Sequence, residues 1–213
     1  MLSLSPWIYT TDNCNLRCPY CFTEHNSTIM SENVWSALSD YFIKEINSGR
    51  IEYTVFRLAG GEPLLCFDSW QEYLPYIRRM VGNRHFDAVV LTNFTLLDYR
   101  IINYAIANDI RFSVSLDGTR HSKVDIHGNS TAQQVMQTIE GYVKDVSPVT
   151  IMTVLNESNT GTGEILELAE FVAKYQLSWN VNSDIYALHA GDRAEQMYKD
   201  LTEALQYLIK VNY

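Results

Sequence analysis

The chain has 213 residues, 46% of them apolar, and sets 16 Lys and Arg against 25 Asp and Glu for a formal net charge of -9. That content is enough for one buried core and its charge is too ordinary for a disordered protein. The acidic balance excludes a broad phosphate-binding surface, because non-specific nucleic-acid affinity comes mostly from Lys and Arg.

The opening run MLSLSPWIYTTDNC has neither a basic leader nor a long apolar stretch. No window approaches the roughly 18 uninterrupted apolar residues of a membrane span. A soluble, cytoplasmic protein is expected, with no membrane partner and no nucleic acid. Four cysteines are too few for a disulfide-dense scaffold, and three of them crowd one loop, which reads as reactive or metal-bound thiols in a reducing compartment. There is no repeat, low-complexity tract or linker, so residues 1–213 are expected to form a single domain.

In chain order, the first β-rich run is Trp7 to Thr10, followed by Cys14, Cys18 and Cys21 in CNLRCPYC. Thiolates hold iron–sulfur clusters, four to a cubane, so three in one loop leave one corner for another ligand. With His25 as a fourth ligand the same residues would make a Cys₃His zinc site; otherwise His25 is an exposed loop residue. A helix is expected from about Ser31 to Asn47, with Val34, Leu38, Tyr41, Phe42 and Ile46 on its apolar face and Gly49 ending it.

The second strand, Tyr53 to Leu58, runs into Gly60, Gly61 and Glu62. The glycines give backbone freedom for close approach to a ligand, and the acceptor-only Glu62 carboxylate suits an ammonium group. Cys66 beyond it reads as a small buried hydrophobe. A helix follows with Asp68 as N-cap, Gln71 at the capping-box position and Trp70, Leu74, Ile77 and Val81 on its apolar side.

The third strand, Ala88 to Leu91, leads to Asn93 and Phe94, the fourth, Arg111 to Leu116, to Asp117 and Gly118, and the fifth, Thr150 to Leu155, to Asn156; the sixth is Ser178 to Val181. Ser115 and Asp117 lie two apart on one strand and so share a face, from which a hydroxyl and a carboxylate can bind ribose hydroxyls or an amino-acid carboxylate. Asn156 reads equally as a simple Asx turn. Helices at Ile101 to Ala107, Gln133 to Val146, Ile165 to Tyr175 and Ala194 to Val211 complete six strand–helix units. Strands apolar on both faces belong to parallel sheets covered by helices. Six units fall short of the roughly 250 residues of an eight-unit barrel. The fold class expected is therefore α/β, a partial (β/α)6 TIM-like barrel, open-sided, with parallel strands and outer helices. In such folds the chemistry collects at the carboxyl ends of the strands.

The Cys-x-x-x-Cys-x-x-Cys after the first strand, AGGEP after the second, LTN after the third and SLDG after the fourth resemble the radical S-adenosylmethionine superfamily over nearly the whole chain. CNLRCPYCF followed by TIMSENV, together with SLDG, is most similar to its peptide- and protein-modifying branch, which matures sulfatases and ribosomal peptides. The resemblance implies that Cys14, Cys18 and Cys21 hold a [4Fe–4S] cluster and that the amino and carboxylate groups of S-adenosylmethionine chelate the remaining iron. It implies reductive cleavage to a 5′-deoxyadenosyl radical that abstracts hydrogen from a peptide or protein, with an external flavodoxin- or ferredoxin-like electron donor.

It further places Tyr20 by the adenine, Gly60, Gly61 and Glu62 at the ammonium group, and Ser115 at the methionyl or ribose moiety, with Asn93 and Asn156 reaching the same cavity and Asp117 holding local architecture. Two features depart from the family. Phe94 stands where glycine is usual and would narrow the site, and TRHSKVDIHGNST replaces a longer His-Asp-x-x-Arg stretch. Arg120, His121 and Lys123 are left as candidates for the basic group that meets the cofactor's carboxylate, or as solvated loop charges. His189 lies in the loop after the sixth strand, where substrate could enter. No Cys-rich C-terminal extension with auxiliary clusters is expected in this chain. Two alternatives remain: an activase of a glycyl-radical enzyme, and a zinc-stabilised binding domain without catalysis.

Overall fold

The computed structural model describes residues 2–120, 123–145, 149–183 and 191–213. Seven strands alternate with helices among them, in the α/β order expected of a partial (β/α)6 barrel. Each of the pairs β1–β3, β2–β3, β3–β4, β5–β6 and β6–β7 is parallel. Internal contacts gather the chain into two compact units: Met1–Asn15, Thr23–Thr92 and Leu96–Phe112 in the first, and Leu16–Phe22, Asn93–Thr95 and Ser113–Tyr213 in the second. No helix of the described residues is long and apolar enough to cross a membrane.

In the first unit, β1 (Leu2–Leu4) and β2 (Trp7–Thr11) pair in succession with β3 (Ile51–Gly60). The interruption is Pro6, which lacks an N–H but still accepts from the Arg57 N–H at 2.9 Å. The expected first strand, Trp7 to Thr10, is β2, and β1 ahead of it is an additional strand. Strand β4 (Phe86–Thr92) continues from β3. Helix α1 (Glu32–Asn47) has close to the expected extent, followed by Gly49 at φ +75; Ser31 is its N-cap. Its buried face is Trp35, Ser39, Phe42 and Ile46, whereas Val34 and Tyr41 are 50% and 55% exposed. The apolar stripe is thus rotated from the expected one, because the Trp35 ring stacks on Tyr73 at 5.5 Å and anchors the helix on that side. Phe42, Phe56 and Phe86 run edge-to-face through the core, with centroids 4.8 and 5.0 Å apart.

The helix expected after Glu62 is three pieces: a 3-10 turn (Pro63–Cys66), α2 (Phe67–Trp70) and α3 (Tyr73–Val81). Asp68 is not an N-cap. It lies in the first turn of α2, where its exposed carboxylate accepts from the side chains of Gln71 and Arg100. Trp70, Leu74, Ile77 and Val81 are buried as expected. Helix α4 (Tyr99–Ala107) begins at the N-cap Asp98, whose side chain accepts from the Ile101 N–H at 2.8 Å.

In the second unit, the last residues of β5 (Arg111–Ser115) pair with β6 (Thr150–Leu155), and β6 pairs with β7 (Ser178–Ser183). Strand β7 is not apolar on both faces: its alternate residues are exposed. Helices α5 (Ala132–Asp145), α6 (Glu164–Tyr175) and α7 (Gly191–Lys210) cover this part. Leu155, Ile165, Ala169, Met197, Ala204 and Leu208 form a core that joins β6, α6 and α7. The burial of these side chains is the main driving force for docking α7.

Candidate functional site

At the carboxyl end of β3, Gly60 has φ +140, and a Cβ on it would sit 2.2 Å from the Thr11 carbonyl oxygen. A Cβ on Gly61 would lie 2.1 Å from the Asn13 oxygen. No side chain fits either contact, so the two glycines bring the strand end against the chain that leads into Cys14. The Gly61 N–H donates to Thr11 O at 2.7 Å and the Glu62 N–H to Asn13 O at 2.8 Å. The sequence read these glycines as room for a ligand; among their nearest neighbours is the protein's own backbone. Glu62 is 0% exposed. Its Oε1 accepts from the Leu64 N–H at 3.0 Å, capping the 3-10 turn, and from the Thr92 hydroxyl at 2.7 Å. Cys66 is buried, its thiol 3.4 Å from both Thr10 Oγ1 and the Pro63 carbonyl, and burial pushes that thiol's pKa up.

At the end of β5, Ser115 is half-buried, whereas Asp117 is completely buried. Asp117 Oδ1 accepts from the Val154 N–H at 2.8 Å, and Oδ2 accepts from the Tyr20 hydroxyl and lies 3.1 Å from Lys123 Nζ. Lys123 Nζ in turn donates to the Tyr20 hydroxyl at 2.6 Å and sits 5.1 Å from the centre of its ring. Burial raises the Asp117 pKa, opposed chiefly by the Lys123 ammonium. Tyr20 and Lys123, two residues singled out separately, thus meet on one buried carboxylate. The Cys21 N–H donates to Cys18 O at 3.0 Å, and the Cys18 thiol is pushed up by burial, with Lys123 the largest opposing influence.

Asn93 Oδ1 accepts from the Thr95 N–H and hydroxyl at 3.0 and 2.7 Å. Phe94 adopts φ 62 with its ring buried edge-on against Tyr142, 5.6 Å between centroids, so that ring fills the second unit's interior. Asn156 closes an Asx turn, accepting from the Ser158 N–H at 2.8 Å. Asn159 went unread in the sequence: its amide donates to the carbonyls of Asp117 at 2.6 Å and Val154 at 2.8 Å, tying the end of β6 to the end of β5. The paired asparagines of LNESN were the available signal. Arg120 is held by Glu167, and its N–H donates to the buried Glu164 carboxylate at 2.7 Å. His121 and His189 lie outside the described residues.

None of the four cysteines takes part in a disulfide. Three thiols on one loop are the donor set of an iron–sulfur cluster, which spreads its ligands over separate irons. A single zinc would need them, with His25, about 2.0–2.3 Å from one point. His25 is half-buried rather than exposed, and its Nδ1 has no hydrogen-bond partner.

The family model of the Radical SAM superfamily matches residues 8–172. Among curated relatives, the chain is 27% identical over 88% of its length to an uncharacterized protein of Methanocaldococcus jannaschii, covering 63% of that protein. It is 27% identical over 75% of its length to a cysteine-type anaerobic sulfatase-maturating enzyme of Clostridium novyi, covering 46% of it. It is also 29% identical over 74% of its length to a GTP 3′,8-cyclase of Rhodococcus opacus, covering 45% of it. The chain thus spans about half to two thirds of these relatives. Among solved structures, native anSMEcpe with bound AdoMet and the Cp18Cys peptide aligns over 85% of this chain and 51% of that one, with a TM-score of 0.67 and 25% identity. Streptococcus suis SuiB bound to its precursor peptide SuiA shares the fold, with a TM-score of 0.63 and 15% identity over 85% of this chain and 39% of that one.

Proposed function

Because this chain belongs to the Radical SAM superfamily, whose members use a [4Fe–4S] cluster and S-adenosylmethionine, we propose that it cleaves S-adenosylmethionine reductively and directs the resulting radical at a peptide or protein substrate. When bound, the cluster and S-adenosylmethionine supply a 5′-deoxyadenosyl radical that takes a hydrogen atom from substrate. The protein's part is to bind, orient and exclude side reactions. Cys14, Cys18 and Cys21 are the cluster ligands in this reading. Tyr20, Gly60, Gly61, Glu62, Asn93, Ser115, Asp117 and Asn156 are the residues assigned to the cofactor in the same reading.

Their local construction supports a division of labour. Gly60 and Gly61 set the path of the backbone into Cys14 by admitting no side chain. Asp117 steadies the Tyr20 hydroxyl, and Asn156 shapes the turn after β6. Ser115 remains half-buried at its strand end, able to offer its hydroxyl. An external flavodoxin- or ferredoxin-like protein would deliver the electron, in the cytoplasm.

The observation that carries the peptide reading is the likeness to the peptide-bound anSMEcpe structure. The GTP 3′,8-cyclase relatives support a second reading, a nucleotide substrate on the same core. Anaerobic reconstitution with iron and sulfide, then dithionite and S-adenosylmethionine, should give 5′-deoxyadenosine. Its formation should be stimulated by a cysteine-containing peptide, which changes mass, and not by GTP. Stimulation by GTP alone would select the nucleotide reading. Absence of 5′-deoxyadenosine, with stoichiometric tightly bound zinc, would sink both. Cys18→Ala should abolish the cluster and cleavage together.

A further inference from the structure

We propose that Lys123 is a positioning residue that fixes a positive charge beside the cysteine loop, raising the reduction potential of the cluster, and that the hairpin of residues 123–131 is the clamp that holds it there. The proposal rests on the reading of the cysteine loop as a cluster site.

Lys123 is only 9% exposed, although taking an ammonium out of water is costly unless it is paired. Its ammonium is fixed by Asp117 at 3.1 Å and the Tyr20 hydroxyl at 2.6 Å. Tyr20 stands between Cys18 and Cys21, so the charge is tied to the loop that carries both thiols.

Backbone contacts make the same connection independently. An antiparallel bridge joins Leu16 to Asp125, and the Arg17 N–H donates to Val124 O at 2.9 Å. The hairpin is itself stiff. Val124 bridges Ser130, the Thr131 N–H donates to Lys123 O at 2.9 Å, and the Asp125 carboxylate accepts from the N–H groups of His127 and Asn129 at 2.8 and 2.9 Å.

Net charge nearby and hydrogen bonds to the sulfurs are what set the potential of an iron–sulfur cluster. One-electron reduction adds negative charge, so a fixed cation stabilises the reduced form and the Asp117 carboxylate works against it. The two residues therefore act with opposite signs, which separates a charge effect from simple support of the loop.

The test is an EPR-monitored redox titration of the full chain, reconstituted anaerobically with iron and sulfide and reduced with dithionite, without S-adenosylmethionine. Lys123→Met should keep its iron and lower the ratio of reduced to oxidised cluster at a fixed potential about tenfold, about 59 mV for a one-electron couple. Asp117→Asn should shift the ratio the other way, and Lys123→Arg should restore it. Unchanged midpoints in Lys123→Met, or shifts of the same sign in both variants, would overturn the proposal. So would loss of iron in both Lys123→Met and the charge-neutral Lys123→Met/Asp117→Asn double variant, since that marks a purely structural role. A wild-type chain that assembles no cluster overturns instead the reading of the cysteine loop, and the proposal falls with it.

Discussion

The ends of β3 and β5 carry motifs that look alike in the sequence, each a small residue beside an acid, yet the two are built by different forces. At Gly60–Gly61–Glu62 the fit is steric: two glycines accept backbone where no Cβ fits, and the Glu62 carboxylate caps a turn and receives the Thr92 hydroxyl. At Ser115–Asp117 the fit is electrostatic, a completely buried carboxylate satisfied by Lys123, Tyr20 and the Val154 N–H. A steric junction tolerates no added atom, whereas an electrostatic one tolerates changes of shape and responds to changes of charge. The acid of the first motif is a cap, and the acid of the second is half of an ion pair.

The sharpest way to break this contrast is at Gly61. Gly61→Ala places a methyl 2.1 Å from Asn13 O, so either the strand end or the chain into Cys14 must move. Overpacking against backbone costs about 3 kcal/mol or more. Iron content after reconstitution should fall with stability, and an alanine variant with full iron content and an unchanged urea midpoint would show that this strand end is not sterically built. Lys123→Met should cost less, about 2–3 kcal/mol. Removing one partner of a buried pair is expensive, but the Val154 N–H and the Tyr20 hydroxyl still donate to the Asp117 carboxylate and limit the loss. The double variant with Asp117→Asn should recover part of that loss in a thermodynamic cycle. Glu62→Gln comes next, at about 1 kcal/mol, because the amide oxygen still accepts from Leu64 and Thr92. A loss as large as that of Lys123→Met would mean that charge matters at the β3 end as well.

The same contrast explains what the sequence could reveal. The alternation of strands and helices was legible because apolar periodicity is local, and Ser31 and Gly49 marked the limits of α1 through chemistry that acts within a turn. The rotation of the α1 apolar face was not legible, because it depends on Trp35 meeting Tyr73 from a segment 38 positions away. Asp68 failed as a cap because Pro63 starts a 3-10 turn ahead of it. In the candidate site, the cysteines and the strand-end residues could be picked out by type and spacing. The partnership of Lys123 with Asp117 and Tyr20 could not, since Lys123 among Arg120 and His121 reads as one of several loop charges. Asn159 was hidden for the same reason: its amide matters only because β5 and β6 lie side by side.

The smallest expected effect tests the steric side at Tyr142, the partner of the Phe94 ring. Burial pushes the Tyr142 phenol up to about 12 from its ordinary value near 10.0. A phenol whose pKa is higher folded than unfolded favours the protonated form in the fold. Its contribution is therefore fully present below pH 10 and is lost as pH rises from about 10 toward 12. The loss should reach about 1 kcal/mol by about pH 11. Tyr142→Phe keeps the edge-on contact with Phe94 and removes the ionisable hydroxyl, so its urea stability should fall less than the wild type's between pH 10 and 12, while the two run parallel between pH 7 and 9. Parallel curves over the whole range would show that the Tyr142 phenol is already open to water, and that the packing of Phe94 against it is looser than the ring geometry implies.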